Sequence, residues 1–187
     1  MAAKTPETAL FDELRSIPDG NPATPRFIAH TRRVVLTGWL LDTNILSELR
    51  RPKPELKVIA FVEEQPLDLL FISAVTLAEL RFGIELLPDA ARRLDLNEWL
   101  THKVRPMFEQ RVLPITEDIM FKWRLLLEEG RKAGYTFSQP DLIIAATAQH
   151  HGLIVVSRDT AEFTKANVAV FNPWRDPLPP ATEYQTP

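Results

Sequence analysis

The chain has 187 residues, 45% hydrophobic and 25% charged, with a formal net charge of −3 and no cysteine. That is the make-up of an ordinary globular domain with one sizeable core. It excludes disulfide scaffolds and thiolate metal sites, and it argues against a protein that coats nucleic acid through bulk positive charge. No apolar run approaches the roughly 18 residues of a membrane helix, and the acidic N-terminal segment does not read as a signal peptide. The default expectation is a cytoplasmic protein with no membrane partner.

Residues 1–33, punctuated by Pro6, Pro18, Pro22 and Pro25, read as a flexible extension in which only 9–17 suits a short helix. An apolar strand follows at 34–41 and ends at Asp42. A helical segment is broken at Pro52 and Pro54 and resumes over 55–64. A second strand at 68–73 leads into a helix over 75–87, whose Leu77, Leu80, Ile84 and Leu87 form one stripe. A longer helix spans 89–108, a third strand 111–115, and helices 117–133 and 139–151, the last stopped by Gly152. Strands at 153–157 and 168–171 complete the core, and 173–187 is a proline-rich tail. Strands separated by helices imply an α/β fold with a parallel sheet. Strands that are apolar throughout imply a sheet covered on both faces.

In such a sheet, the C-terminal ends of strands and the starts of the following helices share one edge, where ligands bind. Asp42 ends the first strand, Glu79 lies near the start of the next helix, Asp141 is in a first helical turn, and Asp159 follows the fourth strand. Each has a local alternative. Asp42 suits a helix cap, Thr76-x-x-Glu79 and Ser138-x-x-Asp141 suit capping boxes, and Arg158-Asp159 suits a surface turn. Those roles do not explain why all four acids reach one edge. Clustered carboxylates make sense around a hard cation, Mg²⁺ or Mn²⁺.

The motifs LLDTNILSEL (40–49), ISAVTLAELRFGI (72–84), PDLIIAATAQHHG (140–152) and VVSRDTAEF (155–163) occur in this order. Together they resemble the four motifs of PIN-domain ribonuclease toxins of the VapC and FitB type, over about residues 36–172. Ser157 stands where those toxins usually carry Thr, and they normally begin almost at the first strand. The resemblance implies a PIN-like three-layer fold around a five-stranded parallel sheet, with a PIN domain over 34–172. It also implies a Mg²⁺- or Mn²⁺-dependent endoribonuclease, the toxin of a type II toxin–antitoxin pair. Asp42, Glu79 and Asp141 are then the catalytic metal ligands. Asp159 binds a second or weaker ion or orients the water, and Asn44 and Ser157 support the carboxylates. The implied partners are an RNA substrate, a small antitoxin and a second copy of the chain, the last to cover the apolar helix at 77–87.

Arg50, Arg51, Lys53 and Arg81 are candidate RNA contacts, with a plain solvated basic patch as the alternative. The alternative function is a catalytically inactive PIN module that binds RNA or protein; retention of all four acids speaks against it. An aspartyl phosphotransfer domain built on Asp42 lacks a clear lysine at a strand end. The six glycines form no phosphate-binding loop pattern.

Overall fold

A computed structural model describes residues 38–179; the expected extension at 1–33, its helix at 9–17, the first residues of the 34–41 strand and the end of the tail lie outside them. In chain order the elements are β1 (Trp39–Leu41), α1 (Thr43–Leu49), α2 (Leu56–Glu64), β2 (Leu70–Ser73), α3 (Ala74–Glu85) and α4 (Ala90–Trp99). They continue with α5 (Arg105–Met107), β3 (Val112–Leu113), α6 (Glu117–Lys132), α7 (Gln139–His151), β4 (Ile154–Val156), α8 (Thr160–Lys165) and β5 (Val170–Phe171). The five strands form one sheet in the order β3-β2-β1-β4-β5, every neighbouring pair parallel.

The alternation of side chains along a strand sends each strand to two cores. Trp39 and Leu41 join Leu70, Ile72 and Val156 beneath α1 and α2, whereas Leu40 and Val155 join Ile119, Leu142 and Phe163 beneath α6, α7 and α8. The first core is sealed by an aromatic cluster: Trp39 meets Phe61 edge-on at 5.2 Å between centroids, and Phe61 meets Phe171 at 4.8 Å. The Trp39 indole N–H donates to the buried Gln65 side chain at 2.9 Å, which satisfies the group that burial would otherwise strand.

The helices begin and end where the sequence pattern expects, with local differences. Gly152 closes α7 in the left-handed conformation, φ 66°. The expected 89–108 helix is one helical run, but Leu100–Val104 between α4 and α5 is wound as a π-helix. This stretch adjoins Pro106, which has no N–H to return to residue 102. The second strand is shorter than expected because Leu67–Leu69, after Pro66, forms a 3-10 turn. The third is only two residues long, with Pro114 ending its pairing capacity. Helix α8 was not anticipated; six residues are too few for a helical period to show.

Gly130 is buried in α6 beneath the Phe137 ring, and a methyl group at that position would overlap the ring. Gly130→Ala is therefore expected to destabilise the protein by about 1–3 kcal/mol through overpacking, despite alanine's better helix propensity. A urea titration in which Gly130→Ala matched or exceeded the parent midpoint would contradict this packing.

Candidate active site

Strand β1 is the point at which the sheet changes direction: the chain moves from β1 to β2 and β3 on one side, then returns to β4 and β5 on the other. The crevice at the carboxyl end of such a strand is open because its two neighbours are followed by helices that diverge. A cleft of about 340 Å³ lies there, and Asp42, Glu79, Asp141 and Asp159 all line it. Four elements far apart in sequence thus deliver four carboxylates to one place, and no described lysine or arginine forms an ion pair with any of them.

Asp42 is buried and the most constrained. It is the N-cap of α1, and its Oδ1 accepts the Thr43 N–H at 2.6 Å. Its Oδ2 accepts the Ser157 hydroxyl at 2.6 Å and the Asn44 side-chain amide at 2.8 Å. Ser157 is the hub of this network. Its oxygen also accepts from Asn44 Nδ2 at 2.9 Å and from the Asp159 backbone N–H at 3.0 Å. One donor and both lone pairs are thereby used. Capping and site placement are thus one arrangement for Asp42, not alternatives.

The capping-box alternatives fail for Glu79 and for Asp141, the latter because the Ser138 side chain makes no cap hydrogen bond. Ser73 caps α3 by accepting the Thr76 N–H at 2.9 Å, so the helix starts earlier than expected and Glu79 lies beyond its first turn. Asp159 occupies the N-cap position of α8, yet its side chain makes no cap hydrogen bond. Asp141, in the first turn of α7, is half-buried.

The electrostatics follow from burial and mutual repulsion. Burial pushes the Asp42 carboxyl above the usual range; the bonds from Ser157, Thr43 and Asn44 oppose this without overcoming it, and Asp159 adds repulsion. Asp141 is raised to about 6, first by burial and then by Asp42 and Asp159, with a Ser138 hydrogen bond opposing. Among the described residues no three acidic or histidine side chains form a ready-made ion cage. The donor set itself, hard oxygens with unrelieved negative charge, is nonetheless chemistry suited to a hard divalent cation. The Thr43 hydroxyl, also on the cleft wall, is buried with no hydrogen-bond partner among the described residues.

Of the expected RNA contacts, only Arg51 lines the cleft. It pairs with Glu48 at 3.1 Å, while Arg50 pairs with Asp95 at 2.6 Å on α4. Lys53 and Arg81 are exposed and outside the cleft lining. Sequence reasoning missed Glu48, a buried acid on the cleft wall whose Oε1 accepts the Glu55 N–H at 3.0 Å across the Pro52–Pro54 break. The helix breaker that strands this N–H was the available signal. It also missed Arg158, which lines the cleft from the β4–α8 loop.

An all-parallel three-layer α/β fold with four carboxylates lining a cleft at its switch point defines the class of protein. Within that class, the PIN domain family pattern matches residues 39–168, and the chain belongs to this family. It is 40% identical over 137 residues to Toxin FitB of Neisseria gonorrhoeae, covering 73% of this chain and 99% of the relative. It is 38% identical over 135 residues to VapC ribonuclease Y4jK of Sinorhizobium fredii, covering 72% of this chain and 96% of that one. Among solved structures, the crystal structure of FitAcB from Neisseria gonorrhoeae superposes with a TM-score of 0.70 at 39% identity, over 74% of this chain and 99% of that one. FitAB bound to an IR36 DNA fragment superposes with a TM-score of 0.70 at 37% identity, over 74% and 97% of the two chains.

Proposed function

We propose that this chain is a metal-dependent endoribonuclease and the toxin of a type II toxin–antitoxin pair, hydrolysing RNA phosphodiester bonds with water. The observation that carries the reading is the delivery of four carboxylates, none ion-paired among the described residues, to the switch-point cleft. Relatives named as a toxin and as a VapC ribonuclease support the biological role. Asp42, Glu79 and Asp141 would hold Mg²⁺ or Mn²⁺, with Asp159 at a second ion or beside the attacking water. A cation bound there supplies a water of lowered pKa and neutralises charge on the attacked phosphate. The chain's own contribution is preorganisation: Ser157, Thr43 and Asn44 fix Asp42 before substrate arrives. The test is cleavage of RNA with Mg²⁺, Mn²⁺ or chelator. Cleavage that persists in chelator would remove the metal from the mechanism, and a chain that binds RNA without cleaving it would favour the inactive-module reading.

Partners follow from the same reading: a small antitoxin, as in the structural relative described as a toxin–antitoxin complex from Klebsiella pneumoniae, and a second copy of the chain. Leu77, Leu80 and Ile84 of the expected stripe are already covered by the chain's own core. Among the described residues, the apolar side chains left in solvent include Leu56 (77% exposed) on α2, Phe82 (61%) and Leu86 (65%) around α3, Leu94 (64%) on α4, and Phe121 (65%) on α6. Light scattering is expected to give a dimer at micromolar concentration; a strict monomer across that range would count against it.

Residues 1–33 lie before the matched region, and their sequence is punctuated by Pro6, Pro18, Pro22 and Pro25. A truncation beginning at Arg33 should therefore fold and cleave RNA. A melting midpoint lower than the full chain's by more than about 8 °C, roughly 2–4 kcal/mol for a domain of this size, would show instead that the segment belongs to the core.

A further inference from the structure

We propose that Arg158 binds a backbone phosphate of the RNA substrate and that Trp174 holds it in position. The inference rests on the ribonuclease reading and names a substrate-binding residue within it. Two cations line the cleft, Arg51 and Arg158. Arg51 is bound to Glu48. Arg158 has no carboxylate partner among the described residues, although Asp159 is its neighbour in sequence and Asp42 and Asp141 line the same cleft. Arginine and carboxylate frequently pair in bidentate fashion, so an arginine on this wall that does not do so keeps its donors for another acceptor.

The Arg158 guanidinium lies 5.3 Å from the centroid of the Trp174 ring, within cation–π range. A cation–π contact uses none of the guanidinium N–H donors, so they remain for an acceptor, and their fork suits a phosphate. The backbone of Arg158 is tied on both sides, its N–H donating to Asn44 Oδ1 at 3.2 Å and its carbonyl accepting from Asn172 Nδ2 at 3.1 Å. The same buried Asn172 accepts the Trp174 backbone N–H at 3.0 Å, and its own N–H donates to Asp176 at 2.7 Å. One asparagine thus frames both the arginine and the ring that carries it, and Trp174 packs on the first core. The need is electrostatic. Four carboxylates against one divalent ion leave net negative charge, so a polyanion entering the cleft requires a further cation that is not already neutralised.

The experiment measures binding apart from cleavage. Full-length protein carrying Asp141→Asn is titrated into a fluorescein-labelled, mixed-sequence single-stranded RNA with Mg²⁺, by anisotropy over a series of KCl concentrations. Adding Arg158→Ala should weaken binding roughly tenfold or more, the scale of a charge-assisted hydrogen bond. It should also reduce the log–log salt slope by about 0.7, the loss of one phosphate contact on a single strand. Arg158→Lys should keep the slope while losing part of the affinity. Trp174→Leu should weaken binding when Arg158 is present and add nothing when Arg158 is already alanine; a purely structural tryptophan would cost the same in both. If Arg158→Ala does not fold by circular dichroism, Arg158→Gln carries the same test. Unchanged affinity and slope without the Arg158 charge, in a wild type that cleaves RNA, overturns this inference alone. A wild type that neither binds nor cleaves RNA overturns it together with the proposed function.

Discussion

Asp141→Asn is expected to abolish RNA cleavage while making the metal-free protein more stable at neutral pH. The activity loss should be on the order of 10³-fold or greater, because a metal site supplies several kcal/mol of charge stabilisation in the transition state. The stability gain has the opposite cause. The folded carboxyl is raised from 3.8 to about 6, so the folded chain binds this proton more tightly than the unfolded one. That contribution is fully present below about pH 4 and is lost as pH rises through about 6. At pH 7.5 the ionised group therefore opposes folding. The side chain is only partly buried and solvent screens it, so the cost is about 1 kcal/mol, or roughly 2–4 °C in midpoint. In chelator at neutral pH, Asp141→Asn should melt higher than the parent by that amount, and near pH 4 the difference should vanish. With saturating Mg²⁺ or Mn²⁺ the order should reverse, since an ion favours the ionised ligands of the parent. Full RNA cleavage by a folded Asp141→Asn chain would end the assignment of Asp141 to the site. Asp42→Asn should lose activity equally, but its stability gain is offset because an amide cannot accept from Ser157, Thr43 and Asn44 as a carboxylate does.

Ser157→Ala is expected to lower activity by about 10–100-fold, the usual cost of losing a group that orients a metal ligand. The Ser157 hydroxyl donates to Asp42 and accepts from Asn44 and from the Asp159 backbone, so its removal costs Asp42 and Asn44 one hydrogen bond each and takes this acceptor from the Asp159 N–H. Ser157→Thr keeps the hydroxyl and should retain most of the activity, limited only by room for the methyl group. The contrast separates orientation from packing. If alanine and threonine variants lose activity to the same degree, the added or missing volume matters and the hydrogen-bond hub does not. Titrating activity against Mn²⁺ gives a second readout, with a raised metal requirement expected for Ser157→Ala alone.

How much of this was legible beforehand depended on whether the controlling interactions were local. The alternation of apolar strands and amphipathic helices was, and so were the Gly152 stop and the placement of Asp42, Glu79, Asp141 and Asp159 at strand ends and early in helices. Backbone periodicity, capping chemistry and the rule that parallel strands share one open edge depend on neighbours within a few residues. The family resemblance pointed to the same four acids. What only the tertiary structure decided was which polar groups are already spoken for. Arg50 and Arg51 looked alike as candidate RNA contacts, but Asp95, 45 positions away, takes one and Glu48 takes the other. Arg158 looked like part of a plain turn until Asn44 and the distant Asn172 and Trp174 were found to frame it. The rise of Asp141 to about 6 likewise depends on burial and on Asp42 and Asp159 from the starts of other helices. Ion pairing, desolvation and stacking are set by distances in space, and a one-dimensional pattern fixes those only where the chain is too short to do otherwise.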